Sequence, residues 1–298
     1  MPLVATLITD PSNPALSAEL AVQAAGSITD GGPQWLADNI ACDLPLKDGI
    51  APEEARDAIA AALDEMPVDI AVQNAAGRRK RLLIADMDST MIRQECVDEL
   101  AAEAGFYDKV AAITRRAMNG EIAFEPAMRE RVALLRGLDL SIVDRVLENR
   151  VTLTPGGREL IATMKRNGAY TALVSGGFTL FTSRVAQKLG FDEHRANILN
   201  HENGKLDGTV VEPVLGQQSK IDALEELTAK LEISTDDALA VGDGANDLGM
   251  LRLAGSGVAL HAKPVVAAEA KIRIDHGDLT ALLYIQGYRR SEFAGADT

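Results

Sequence analysis

Aromatic residues and cysteines are scarce in this chain of 298 residues, and each shortage argues against a class of function. Aromatic side chains make up 4% of the chain, so no platform for stacking nucleic-acid bases is indicated. The two cysteines, Cys42 and Cys96, form neither a CxxC motif nor a zinc-ligand spacing. Free thiols, which are usual in the cytoplasm, are therefore expected.

Positive charge is also limited, with 30 Lys and Arg against 44 Asp and Glu and a formal net charge of −14. Such a surface repels nucleic acid and anionic membranes, so neither is an expected partner. It also repels an anionic substrate. A site for such a substrate would therefore need its own positive charge from a metal, a lysine or an arginine.

Long apolar runs are missing as well, since none approaches the ~20 residues of a membrane span. The first residues, MPLVATLITDPSNP, lack the basic and long apolar regions of a signal peptide. We therefore expect a cytoplasmic protein. Zinc is not expected either, because the four histidines show no ligand spacing.

The length of the chain indicates two or three compact units. Residues 1–76 alternate between strand, helix, strand, helix and strand patterns, which predicts a small ferredoxin-like or ACT-like α+β module. The basic run Gly77-Arg78-Arg79-Lys80-Arg81 follows. It could bind phosphate or nucleic acid, but a solvated linker is the simpler interpretation.

From Leu82 the pattern changes to that of an α/β protein. The apolar run LLIA is typical of a parallel strand covered on both faces. Residues 92–151 are helical in pattern, and strands alternate with helices after them. Repeated βα units predict a doubly wound, Rossmann-like parallel sheet formed by residues 77–91 and 152–298. The segment 92–151 is then a helical cap inserted after the first strand.

Ligands of open α/β sheets bind beyond the carboxyl ends of the strands, so the residues that follow each strand are the candidates for chemistry. Asp86-Met87-Asp88-Ser89-Thr90 follows LLIA, Ser175-Gly176-Gly177 follows TALV, and Gly242-Asp243-Gly244-Ala245-Asn246-Asp247 follows ALAV. Three strand ends thus bring acids, a hydroxyl and glycines to one edge of the predicted sheet.

Asp86 and Asp88 are two residues apart on an extended segment and would face the same way. Two carboxylates that close are costly unless a cation or a proton separates them. Asp86 and Asp243 are hard oxygen ligands that suit Mg²⁺. The alternative is that the DxD pattern is only a solvated turn.

Two further features suit an anion. Ser175, Gly176 and Gly177 lead into a predicted helix, where backbone N–H groups and the helix N-terminus favour negative charge. Lys220 opens the helix predicted at Ser219–Leu231, with Ser219 as its N-cap. A cation there opposes the helix dipole, which indicates either a tolerated cost or a lysine that faces a phosphate.

DMDST, SGG after a strand, a lysine and GDGANDLGM occur in this order, and they resemble the four motifs of the haloacid dehalogenase-like phosphatases. The DxDx[TV] and GDGxND pair is the specific part of the match. More narrowly, the chain resembles the phosphoserine phosphatases of that family in DMDSTMIRQECVDELA, MNGEIAFEPAMRERVALLRG, VSGGF and VAVGDGANDLGML. The resemblance covers residues 82–287.

The resemblance implies a mechanism with an aspartyl-phosphate intermediate. Asp86 would attack phosphorus, while Asp88 would protonate the leaving oxygen and later activate water. The Asp86 carboxylate, the Asp88 backbone carbonyl and Asp243 would hold Mg²⁺. Lys220, Ser175 and the Gly176 N–H would stabilise the charge of the transferring phosphoryl group.

The resemblance also assigns the cap to substrate recognition. Glu95 would bind the amine of O-phosphoserine and Arg131 its carboxylate, which a planar guanidinium suits. Met118 and Phe124 would form an apolar wall. Asn246 and Asp247 would orient Lys220 and the waters of the metal. Surface roles for Glu95 and Arg131, and ordinary packing for Met118 and Phe124, are the alternatives.

Three functions therefore remain open at the level of sequence. The first is a phosphatase that makes L-serine from O-phosphoserine, the last step of L-serine biosynthesis. The second is a phosphotransferase, or a phosphatase for another small metabolite. The third is a regulatory protein in which the N-terminal module senses an amino acid and the phosphatase core is idle. A homodimer is compatible with each of them.

Overall fold

The computed structural model describes residues 2–295, apart from the side chain of Met118. The strands are β1 (Leu3–Ile8), β2 (Gln34–Ala37), β3 (Ala41–Pro45), β4 (Asp69–Asn74), β5 (Leu82–Ala85), β6 (Tyr170–Phe178), β7 (Glu193–Asn197), β8 (Leu199–Glu202), β9 (Lys205–Val210), β10 (Ala238–Gly242), β11 (Ser256–Leu260) and β12 (Ile272–Ile274).

The α-helices are α1 (Ala18–Ala25), α2 (Pro52–Leu63), α3 (Cys96–Glu103), α4 (Tyr107–Met118), α5 (Phe124–Leu134), α6 (Ser141–Asn149), α7 (Gly157–Arg166), α8 (Thr179–Leu189), α9 (Gln217–Lys230), α10 (Leu248–Leu253), α11 (Pro264–Ala267) and α12 (Ala281–Ile285). In the described residues, none of them has the length and apolarity that crossing a bilayer requires.

Internal contacts divide the chain into two compact units. The first comprises the described parts of Met1–Arg81, Pro155–Ala169 and Lys271–Thr298, and the second comprises Leu82–Thr154 and Tyr170–Ala270. The segments 155–169 and 271–295 thus group with the N-terminal strands. The predicted division into residues 1–76, residues 77–91 with 152–298, and residues 92–151 stays a prediction.

The first unit contains an antiparallel sheet in the order β2-β3-β1-β4. Its core forms where α1 and α2 place apolar residues such as Ala21 and Ile59 against Ala5 and Leu7 of the central strand. The order of elements is β-α-β-β-α-β, as in ferredoxin-like folds. The predicted α+β module is therefore confirmed in fold, with one strand more than the sequence pattern indicated.

The additional strand is β2, which has four residues and pairs with β3 through a shifted register at Trp35 and Ala37. A strand this short and irregular shows no sustained alternation of polar and apolar residues. The sequence pattern did not predict the five-residue helix α12 either. All of its residues are buried, so no polar face marks a helical period.

The basic run before β5 is not simply a solvated linker. Arg78 donates to the buried Asp43 carboxylate at 2.6 Å, and Asp43 also accepts from Thr6. Arg79 lies over the Tyr288 ring and pairs with Glu292. These contacts lie within the first unit, so the run contributes ion pairs and stacking there.

The second unit is built on a second sheet, in which five of its strands lie in the order β11-β10-β5-β6-β7. All neighbouring pairs among them are parallel. Apolar side chains of α9 and α10, such as Leu224 and Met250, pack on Leu82 and Ile84 of β5. Helices α3–α6 follow β5 as an insertion, and the chain returns to the sheet at β6. This confirms the predicted α/β fold class with its helical cap.

One predicted boundary is wrong. Helix α9 begins at Gln217 after Gly216, so Ser219 is its third residue and not its N-cap. Lys220 is consequently the fourth residue of the helix, and its side chain is 1% exposed. The helix dipole therefore bears less on Lys220 than its two carboxylate partners do.

Candidate active site

Asp86 and Asp243 directly follow two neighbouring parallel strands. Ala85 of β5 lies opposite Val241 of β10, and the Asp86 backbone N–H donates to the Val241 carbonyl at 3.0 Å. Both carboxylates are almost fully buried. The parallel register thus places two acids side by side at the carboxyl edge of the sheet, where open α/β sheets bind ligands.

Three buried carboxylates meet at this edge, since ligand atoms of Asp86, Asp243 and Asp247 all lie within 4.8 Å of one another. Asp243 Oδ1 accepts from Thr90, whereas Asp243 Oδ2 is buried without a hydrogen bond. Burial raises the pKa of Asp86 and of Asp243, and neighbouring carboxylates raise both further. A cation would relieve this repulsion, and oxygen donors of this kind suit Mg²⁺.

Asp88 lies in a different environment from Asp86. Its Oδ1 accepts from the Cys96 backbone N–H at 3.0 Å, at the start of the first cap helix. Burial raises the pKa of Asp88, and the Glu95 and Asp86 carboxylates raise it further. A carboxyl group with a raised pKa can carry a proton near neutral pH, as general acid catalysis requires.

Lys220 provides a buried positive charge between two of the acids. Its Nζ lies 2.7 Å from Asp86 Oδ1 and 2.6 Å from Asp247 Oδ1. Burial alone would lower the pKa of Lys220, but Asp247 and Asp86 together raise it above its usual value. The lysine therefore stays charged and partly compensates the acidic cluster.

Asp247 uses both of its carboxylate oxygens within the protein. Oδ1 accepts from Lys220, and Oδ2 accepts from the backbone N–H groups of Asp243 and Gly244. These bonds hold the loop that carries Asp243 and orient the lysine. The geometry thus favours Asp247 as a residue that orders the site over a direct metal ligand.

The SGG segment forms the third strand end. Ser175 Oγ accepts from the Gly177 backbone N–H at 2.8 Å, and the Gly176 carbonyl accepts from the buried Asn197 side chain. A Cβ at Gly176 would lie 2.6 Å from Phe124, and one at Gly177 would lie 2.7 Å from Asp88 Oδ2. Only glycine allows these side chains to approach the backbone so closely.

The cap closes the site from the other side. Glu95 directly precedes α3 and accepts from Ser89, and Arg131 is buried in α5. Phe124 is the first residue of α5. One pocket of the second unit is lined by residues of both the strand ends and the cap: Asp86, Asp88, Glu95, Val97, Ala117, Phe124, Met128, Arg131, Ser175, Gly176, Gly177, Phe178 and Asn246.

The family model of the haloacid dehalogenase-like hydrolases matches residues 83–252, which include every acid of the site. The chain belongs to this family. Among curated relatives, a phosphoserine phosphatase of Streptomyces coelicolor is 44% identical over 84% of this chain, which spans 61% of that relative's length. A phosphoserine phosphatase of Albidiferax ferrireducens is 47% identical over 68% of this chain and 88% of its own length.

Solved structures of haloacid dehalogenase-like proteins agree with this assignment. A family hydrolase of Salmonella enterica serovar Typhi superposes with a TM-score of 0.82 at 30% identity, covering 95% of this chain and 98% of its own. A phospho-aspartyl intermediate analogue of phosphoserine phosphatase superposes with a TM-score of 0.66 at 40% identity, covering 69% and 98%. The resemblance that the sequence motifs indicated is therefore confirmed.

The predicted site residues fall into two groups in this haloacid dehalogenase-like fold. Nine line the pocket, and Lys220, Asp243 and Asp247 are buried beside Asp86. Met118 ends α4, but its side chain lies outside the described residues. Val97, Ala117, Met128 and Phe178 also line the pocket but were not predicted, since apolar residues at helix and strand positions look the same whether they line a pocket or a core. The hydrogen bonds of Thr90 and Asn197 at the site were not predicted either.

Proposed function

We propose that this chain is a Mg²⁺-dependent phosphatase that hydrolyses O-phosphoserine to L-serine and phosphate. One observation carries the proposal: a single pocket joins Asp86, Asp88 and the SGG backbone to Glu95 and Arg131 of the cap. Phosphoserine has a phosphate at one end and an amine and a carboxylate at the other. The strand ends suit the phosphate. In the cap, the negative Glu95 suits the amine and the positive Arg131 suits the carboxylate.

Asp86 is the proposed nucleophile. Its carboxylate oxygen attacks phosphorus in line, the bond to the seryl oxygen breaks, and an aspartyl-phosphate forms. Asp88 gives its proton to the leaving seryl oxygen and then takes one from the water that hydrolyses the intermediate. The raised pKa of Asp88 is consistent with this pair of roles.

The residues present fit a divalent cation. Asp86, Asp243 and the backbone carbonyl of Asp88 would hold it, and Asp243 Oδ2 is buried and free of hydrogen bonds. When bound, Mg²⁺ supplies positive charge to the transferring phosphoryl group. Lys220, Ser175 and the Gly176 N–H add donors from the protein, while Asn246 and Asp247 orient the site. Lys220 thereby supplies part of the local positive charge that the acidic surface requires.

A screen of phosphate release tests the proposal. Purified protein is incubated with small phosphorylated metabolites, with Mg²⁺ or with EDTA. The highest kcat/KM is expected for O-phosphoserine, and EDTA should abolish it. Preference for another ester, or transfer to added homoserine in place of phosphate release, would assign a different reaction to the same site. No release from any ester would favour an idle core with a sensing module.

Replacing Arg131 by alanine is expected to act selectively on phosphoserine. We expect kcat/KM to fall on the order of 10²-fold for phosphoserine, since a bond to a buried charged group is lost, and by less than about 3-fold for p-nitrophenyl phosphate. Arg115→Ala on the exposed side of α4 is the matched control. Equal losses on both esters would remove Arg131 from carboxylate recognition.

Gly177→Ala is expected to lower kcat/KM for every phosphate ester by about 10- to 100-fold, because displacing reacting groups by about 1 Å costs this much. The new Cβ would meet Asp88 Oδ2 at 2.7 Å and Ser175 Oγ at 3.1 Å. Steady-state phosphate release measures the effect. Gly32→Ala, where a Cβ meets nothing within 4 Å, should be neutral. Wild-type rates for Gly177→Ala would show that the close approach is not needed.

We also propose a cytoplasmic protein that acts on a small molecule, with no nucleic-acid or membrane partner and with a homodimer as the assembly to test first. Support for a reducing compartment comes from Cys42 and Cys96, which are both buried and free. Light scattering of the purified chain measures its oligomeric state.

A further inference from the structure

Arg131 is a buried cation without a carboxylate partner. It is 4% exposed, and among the described residues no carboxylate oxygen lies within salt-bridge distance of it. Its Nε donates to the Ala127 carbonyl and its Nη1 to Thr114 Oγ1. Since a guanidinium has five N–H donors, three have no partner in the described protein. Hydrogen bonds to two neutral oxygens therefore hold this side chain at the pocket.

Thr114 and Asp98 form a buried chain of hydrogen bonds that ends on Arg131. Thr114 Oγ1 donates to Asp98 Oδ1 at 2.5 Å and accepts from Arg131 Nη1 at 3.0 Å. Each of the three residues is less than 9% exposed. They come from three different helices, α3, α4 and α5, so the contact depends on how the cap folds.

The order of these bonds decides which way the hydroxyl faces. A threonine hydroxyl has one proton and two acceptor lone pairs. The Asp98 carboxylate accepts the hydrogen bond that this proton makes. The lone pairs of Thr114 are then left to accept from the guanidinium. Asp98 thus orients the Thr114 hydroxyl, and that hydroxyl in turn holds Arg131.

A hydroxyl between Asp98 and Arg131 also leaves guanidinium donors unused. A direct pair with Asp98 would occupy two of these donors at once, as bidentate Arg–carboxylate pairs do. With Thr114 between them, Arg131 is held through one Nη1 bond to a neutral group. The outer part of the guanidinium stays available for a carboxylate that arrives from the pocket.

We propose that Thr114, oriented by Asp98, is a positioning residue that sets the specificity of this site for substrates with a carboxylate. The proposal rests on the proposed function, in which Arg131 binds the carboxylate of phosphoserine. Neither Thr114 nor Asp98 lines the pocket. Both act on the substrate only through Arg131.

The test compares two substrates that differ only in the carboxylate, O-phosphoserine and O-phosphoethanolamine. Thr114→Val keeps the shape of the side chain and removes both hydrogen bonds, while Thr114→Ser keeps the hydroxyl. For Thr114→Val we expect kcat/KM for phosphoserine to fall about 10-fold, mainly through KM, which is the loss of one hydrogen bond to a charged group. Phosphoethanolamine should change by less than about 2-fold, and Thr114→Ser should restore phosphoserine turnover.

A purely structural role of the network predicts a different result. If the two bonds of Thr114 only hold the helices together, Thr114→Val lowers turnover of both substrates alike, and the proposal is overturned. Thr114→Ala, which also lacks the hydroxyl, replaces Thr114→Val should the latter not fold. In an Arg131→Ala background, Thr114→Val should have no further effect on phosphoserine. An additional loss there would equally contradict a role through Arg131.

The wild-type protein separates failure of this inference from failure of the proposed function. If it shows no preference for phosphoserine over phosphoethanolamine, the proposed substrate is wrong and the inference falls with it. If that preference is present and Thr114→Val leaves it unchanged, only the inference is overturned.

Discussion

Replacing Asp86 by asparagine is expected to abolish turnover while substrate still binds. An amide has nearly the same shape as a carboxylate but cannot attack phosphorus, so no aspartyl-phosphate forms. Loss of a nucleophile lowers kcat by several orders of magnitude, and we expect on the order of 10⁴-fold or more. Phosphate release gives kcat, and calorimetric titration with phosphoserine gives binding.

The matched control is Asp57→Asn, an exposed acid of α2 in the first unit. It changes the charge of the chain by the same amount and should keep full activity. Retention of wild-type rate by Asp86→Asn would mean that another group attacks phosphorus. A parallel loss of binding would instead indicate that the carboxylate mainly holds the site together.

Lys220→Met is expected to lower both activity and stability. The methionine fills a similar volume but leaves the Asp86 and Asp247 carboxylates buried without the cation that lies 2.7 and 2.6 Å from them. Breaking a buried ion pair from one side costs about 3–5 kcal/mol of unfolding free energy. Loss of a preorganised cation or donor for the transferring group costs about 10²–10³-fold in kcat.

Denaturant unfolding and steady-state kinetics measure the two effects of Lys220→Met separately. Added Mg²⁺ should recover part of the lost stability, because a cation among the carboxylates reduces their repulsion. Lys188→Met on the exposed side of α8 is the control and should match the wild-type protein. A kcat within 2-fold of wild type for Lys220→Met would exclude the lysine from phosphoryl transfer.

The acids at the strand ends could be located from sequence because their positions depend on short-range rules. A buried strand reads as a continuous apolar run, and the residue after it must lie at the carboxyl edge of a parallel sheet. Asp86 and Asp243 follow LLIA and ALAVG in this way, and the register of β5 with β10 then places them together.

The partners of Lys220 were not available from the sequence. From the sequence, Lys220 was expected at the start of a helix with Ser219 as the N-cap, and its role stayed open. The helix in fact begins earlier, and Lys220 lies between two acids that are far from it along the chain. Its position depends on how α9 packs on the sheet, which no local pattern contains.

By itself, the sequence determined the family, the fold class and the acids of the site, because motif spacing and apolar runs act over short stretches of chain. Only the tertiary structure decided which groups surround each charge. It showed that Asp247 accepts from the backbone of the Asp243 loop, and that a threonine hydroxyl lies between Asp98 and a buried guanidinium. Such contacts join distant helices and strands, and the free energy of a buried charge depends on those neighbours.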